Sequence, residues 1–209
     1  MRWFAAEFYA APARYLFTLP DKDNRGDRDK AYQDALSAIE FVMLLQSGNP
    51  EYANIKSRLL INGCGQWDIN ERHLEWQQCQ IKAMTAIRTS LDINSQSAYL
   101  WANLLLVKYN LRQFDAEFYE ALEQCRTLGS HEFSVNRTVM FVGLREWQKW
   151  RPEHITLFLE SLFAVQAVSP VKAKALADEA GQGSSYCLWT RADPKRHYSC
   201  KLKWKHKKP

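Results

Sequence analysis

The residues able to do chemistry are few. They are five histidines (His73, His131, His154, His197, His206), five cysteines (Cys64, Cys79, Cys125, Cys187, Cys200), a carboxylate row at Glu117, Glu120 and Glu123, and a lysine-rich end. A protein metal site needs about four such ligands at spacings a turn can fold around an ion. Cys187, His197 and Cys200 come nearest, but they fit no common zinc spacing and lack a fourth ligand, so no metal is expected. An odd number of cysteines without a Cys-x-x-Cys pair argues against a disulfide framework and points to buried, small apolar side chains. No histidine shares a motif with a nucleophile or with paired acids. There is no Gly-rich phosphate loop, HExxH or GxSxG. The three glutamates recur every third residue, which suits a solvated helix face better than an acid/base pair. The expectation is a protein that is not an enzyme, with no cofactor and no small-molecule substrate.

Charge offers a second chemistry. The net charge is +5, yet residues 191–209 alone hold eight Lys/Arg against Asp193, so the rest of the chain is slightly acidic. Lys201, Lys203, Trp204, Lys205, Lys207 and Lys208 mix cations with an aromatic ring. Such a tail can attract nucleic acid through phosphate contacts and stacking, or an anionic lipid surface with the indole at the interface.

The elements that must carry these residues are helices. Apolar residues make up 46% of the 209, eight of them Trp, while only eight Gly and seven Pro punctuate the chain. Apolar positions at three- and four-residue steps predict helices over about 29–46, 50–61, 69–90, 95–110, 114–128, 130–150, 152–166 and 170–180. On the third of these, Leu74, Ile81, Met84 and Ile87 are expected to share the packed face. Pro50, Pro152 and Pro170 suit first helical positions, and Gly129 suits a helix end. Short turns give antiparallel neighbours, hence an all-α bundle or α-solenoid of about seven to eight helices. The domain reading is an N-terminal segment and linker at 1–27, one helical domain at 28–181, and a basic tail at 182–209 that is either flexible or a small hairpin. The opening MRWFAAEFYAAPARYLF reads as a segment packing its aromatics on the body, in preference to the membrane-proximal remainder of an anchor. No apolar run reaches the roughly 20 residues of a membrane span.

The chain is organised around 90–118. Ala98–Val107, AYLWANLLLV, is apolar on every side but for Asn103, so it predicts a helix enclosed by others. Trp101 is read as core, and removing its ring would cost on the order of 3–5 kcal/mol. Ser90-Leu91-Asp92-Ile93-Asn94 followed by Ala98-Tyr99-Leu100-Trp101, Leu104 and Phe114-Asp115 resembles one drifted tetratricopeptide (TPR) repeat. Lys108 then stands in a tyrosine slot and Arg112 in a glycine slot. That resemblance implies antiparallel helix pairs with a concave groove, faced or flanked by Tyr99, Ala102, Asn103, Leu106 and Tyr109 and open to a protein partner.

A narrower resemblance covers about residues 5–150. AEFYAAPARYL, the run from SAYLWANLLL through ALEQCRTLGSHEFSV, and GLREW together resemble VpsP-type polysaccharide-biosynthesis accessory proteins. These are small bacterial TPR-like proteins associated with exopolysaccharide or O-antigen assembly. The resemblance implies a non-enzymatic scaffold whose partner is membrane polysaccharide-assembly machinery. It also implies an inner-membrane-associated, periplasm-facing location, where a chain without a span leaves the cytoplasm open as well.

Overall fold

The computed structural model describes residues 25–46, 49–64, 73–191 and 200. Among these the chain forms nine α-helices, one 3₁₀ turn and no strand, so the all-α expectation holds. It divides into two compact units, Met1–Gln113 and Phe114–Pro209. That boundary falls inside the single domain expected over 28–181.

The first unit holds α1 (Arg25–Leu45), α2 (Pro50–Cys64), α3 (His73–Ile93) and α4 (Ala98–Asn110). Helix α1 begins at Arg25, inside the segment and linker expected over 1–27. Asn49 starts α2: its Oδ1 accepts from the Glu51 N–H at 3.0 Å, and Pro50 takes the first helical position, where a missing N–H costs nothing. The helix expected to end near residue 61 runs on to Cys64, with Gly63 buried against the Tyr32 ring. Burial, with Glu40 adding, pushes the Tyr32 phenol above its ordinary range.

Ala35, Ile39 and Val42 of α1 close on Tyr52, Ile55 and Leu59 of α2. On α3 the packed face is Gln80, Ala83, Met84, Ile87, Ser90 and Leu91. Leu74 and Ile81, expected on that face, are 69% and 43% exposed. Met84 and Ile87 are packed as expected, and the rest of the face is completed by Gln80, Ala83, Ser90 and Leu91.

The second unit holds α5 (Ala116–Gly129), α6 (Phe133–Glu146), the 3₁₀ turn Trp147–Lys149, α7 (Pro152–Val168), α8 (Pro170–Glu179) and α9 (Gly183–Trp189). Asp115 caps α5 by accepting from the Phe118 N–H at 3.0 Å. Helix α6 lies along α7, and α7 carries α5 and α8 as well. The closest approach is at Gly143, where a Cβ would fall onto the Phe158 ring; Phe158 is itself fully buried. Around it Phe118, Trp150 and Trp189 meet edge to face at centroid distances of 5.5–6.5 Å.

Helix α8 ends in a Schellman motif. Gly181 takes φ +70° while the Gln182 N–H reaches the Ala177 carbonyl at 2.7 Å and the Gly181 N–H reaches Asp178 at 3.0 Å. The first part of the tail expected from residue 182 is therefore a helix stop followed by α9. Tyr186–Trp189, inside the tail read as flexible or a small hairpin, is helical.

The cysteine expectation is overturned. Cys64 at the end of α2 is bonded to Cys79 of α3, with Cα atoms 5.5 Å apart. Cys187 of α9 is bonded to Cys200, with Cα atoms 5.9 Å apart. Pairing is decided by distance in space, which an odd count and irregular spacing do not report. Only Cys125 is a free thiol, and it is buried.

Gly143→Ala should therefore overpack the α6–α7 contact and cost about 1–3 kcal/mol, read by chemical denaturation. Adding Phe158→Leu should recover part of that loss. Full stability of Gly143→Ala alone would refute the close approach.

Candidate functional site

Helix α4 carries the residues on which partner binding was placed. Ser97 is its N-cap, accepting weakly from the Leu100 N–H at 3.4 Å. Leu100, Leu104, Leu105 and Val107 are at most 1% exposed, as an all-round apolar helix requires. Tyr99, Asn103, Leu106 and Tyr109 recur at steps of four and three and so line up along one side of the helix. Tyr99 is 38% exposed, the other three are half-buried, and Ala102 is buried.

Asn103 is tied to the fold. Its Nδ2 donates to Asn54 Oδ1 at 3.1 Å and to Ser57 Oγ at 2.8 Å, both on α2, and Ser57 donates onward to the Asn54 carbonyl at 2.9 Å. One heptad later Asn110 Nδ2 donates to Oε1 of the buried Gln80 on α3 at 3.2 Å. The two amides fix α4 against α2 and against α3 respectively. Tyr109 has the Arg112 guanidinium over its ring, 5.2 Å from the centroid.

Trp101 is not core. It is half-buried, and its Nε1–H donates to the Ser95 carbonyl at 2.7 Å, bracing the turn that leads into α4. Lys108, in the tyrosine slot, is fully buried.

Arg112 shows what the glycine slot means physically. Its φ is +58°, the left-handed region that an L side chain enters at a cost, and it is the one non-glycine there among the described residues. The Gln113 N–H bonds the Lys108 carbonyl at 2.9 Å and the Arg112 N–H bonds Tyr109 at 3.0 Å, the same Schellman pattern that closes α8 on Gly181.

The chemistry-bearing residues are scattered. His73 and His131 are exposed. His154 is buried, stacked on Tyr119 at 4.5 Å, with Nε2 3.9 Å from Glu123 Oε1. Glu120 is exposed, and Glu117 and Glu123 are half-buried. Cys187 and Cys200 are joined to each other; His197 lies outside the described residues, as do Lys201, Lys203, Trp204, Lys205, Lys207 and Lys208. No group of three or more His, Cys, Asp or Glu able to hold a metal ion occurs among the described residues. The Tyr119–His154–Glu123 contact joining α5 to α7 had no sequence signal beyond a histidine near a helix start. Comparison with family models, curated proteins and solved structures finds no match to this chain.

Two stability measurements check this geometry. Leu104→Ala should cost about 2–5 kcal/mol and Trp101→Ala clearly less, because Leu104 is enclosed and the Trp101 ring is not. Equal losses would return Trp101 to the core. Arg112→Gly should be about 1 kcal/mol more stable than Arg112→Ala, both having lost the Tyr109 contact, because only glycine relieves the positive φ. A more stable alanine variant would refute the strained turn.

Proposed function

We propose that this chain is a non-enzymatic scaffold of TPR-like helix pairs, an accessory protein of bacterial exopolysaccharide or O-antigen biosynthesis that works by holding a protein partner. The observation that carries the repeat reading is Arg112. Aligning Trp101 and Leu104 with the repeat demands a glycine at that position, and the backbone there has the positive φ that makes glycine the usual occupant. The helix boundaries agree with the alignment, since α4 ends at Asn110 and Asp115 caps α5 where the repeat has its second helix. Those two helices belong to different compact units, so the support is local to the turn between them.

On this reading the partner meets the Tyr99, Leu106 and Tyr109 side of α4. An exposed aromatic ring and half-buried apolar neighbours are the surface on which a peptide or helix gains most from leaving water. Asn103 serves the site indirectly, by holding α4 to Asn54 and Ser57 on α2.

Deleting the gene in the cell that encodes it should reduce surface polysaccharide. Wild-type protein should restore it, while a folded Tyr99→Ala/Leu106→Ala variant should restore it several-fold less well. Unchanged polysaccharide on deletion would reject the role. Full rescue by the double variant would move the partner face away from α4.

A further inference from the structure

We infer that this chain folds oxidatively, outside a reducing cytosol, and that it is a client of a thiol–disulfide oxidant acting on the pairs Cys64/Cys79 and Cys187/Cys200. This stands apart from the scaffold reading and rests on how all five cysteines are disposed. Four are joined in two bridges, and each compact unit holds one complete bridge of its own. The fifth, Cys125, is 1% exposed on the packed face of α5, and burial raises its thiol far above the ordinary range, so it neither exchanges nor oxidises readily. Such a division, with every pairable thiol bonded and the remaining one inert, is what persists where thiols are oxidised; a glutathione-buffered cytosol keeps cysteines reduced.

The bridges also fall where the chain needs them. Cys64 and Cys79 join the end of α2 to α3, two helices that lie along one another. Cys187 lies in α9, a helix of seven residues, too short to persist by its own hydrogen bonds. The bridge to Cys200 adds to the packing of α9 on α8 through the fully buried Tyr186 and to Trp189, whose ring meets Trp147 at 5.4 Å and Phe158 at 5.5 Å. Oxidation thus completes the aromatic core of the second unit.

The chemistry balances with a protein disulfide as oxidant. One cysteine thiolate attacks a sulfur of the oxidant's disulfide, forming a mixed disulfide and releasing one oxidant thiolate. The second cysteine, as thiolate, attacks the first cysteine's sulfur and releases the other oxidant thiolate. Two chain thiols have lost two protons and two electrons, and the oxidant leaves as a dithiol.

The test counts thiols on the full chain secreted into an oxidising bacterial compartment. The protein is unfolded in guanidinium with a maleimide, before and after chemical reduction, and weighed intact. One adduct, at Cys125, is expected before reduction and five after, with peptide mapping giving 64–79 and 187–200. The native protein should still show one adduct after equilibration with glutathione at a cytosolic poise. In a host lacking its dithiol oxidant, newly secreted chain should show five. More than one adduct in the oxidising host, other pairings, reduction by the glutathione buffer, or full oxidation without the oxidant would each overturn the inference. A folded Cys187→Ser/Cys200→Ser variant should show shifted tryptophan emission as Trp189 loosens; unchanged emission would remove the bridge's hold on α9.

Discussion

A helix as apolar as α4 must put most of its surface out of water, and that constraint governs the first unit. Helix α4 presents Leu100, Leu104 and Val107 to one side and Leu105 to another, and all four are removed from water, while Tyr99 on a further side is 38% exposed. Enclosing it takes both α2 and α3, each of which α4 touches. Apolar enclosure is non-directional, so it fixes that α4 is covered but not its rotation or its height. The polar contacts supply that: Asn103 to Asn54 and Ser57, Asn110 to Gln80. A half-turn rotation or a one-turn slip would leave these amides desolvated without partners, a cost well above the gain from any one hydrogen bond.

The second unit solves its packing by shape. With no Cβ at Gly143, α6 approaches α7 closely enough for the Phe158 ring to lie against its backbone. Trp150, Phe118 and Trp189 fill the space around that ring at edge-to-face angles. Ion pairs such as Arg126–Glu160 at 3.3 Å and Arg145–Glu179 at 3.2 Å lie on partly exposed helix surfaces, where screening leaves each worth little. They register neighbouring helices; the rings and the glycine hold them.

Function, on the reading proposed, depends on the parts of this economy that are strained or left unfilled. The Arg112 turn keeps a left-handed residue without glycine's freedom, and Tyr99 keeps an aromatic ring partly in water. Both lie at the edge of α4, whose interior is otherwise fully satisfied.

The sequence alone determined the helical class, the proline-marked helix starts and the burial of most of α4, because periodicity and proline act within a few residues of chain. Pro50, Pro152 and Pro170 do their work locally and were legible; that Asp115 caps α5 was not, since the helix was expected from residue 114. So was the alignment of Tyr99, Asn103, Leu106 and Tyr109 along one side, which follows from helical spacing. Tertiary structure alone decided which side of α3 is packed, that Trp101 braces a turn, and that Asn103 belongs to α2, since its acceptors lie 46 and 49 residues away. It also decided the cysteines. A disulfide forms where two Cα atoms come within about 6 Å, and the spacings of 15 and 13 residues acquire that proximity only once helices have folded the chain back.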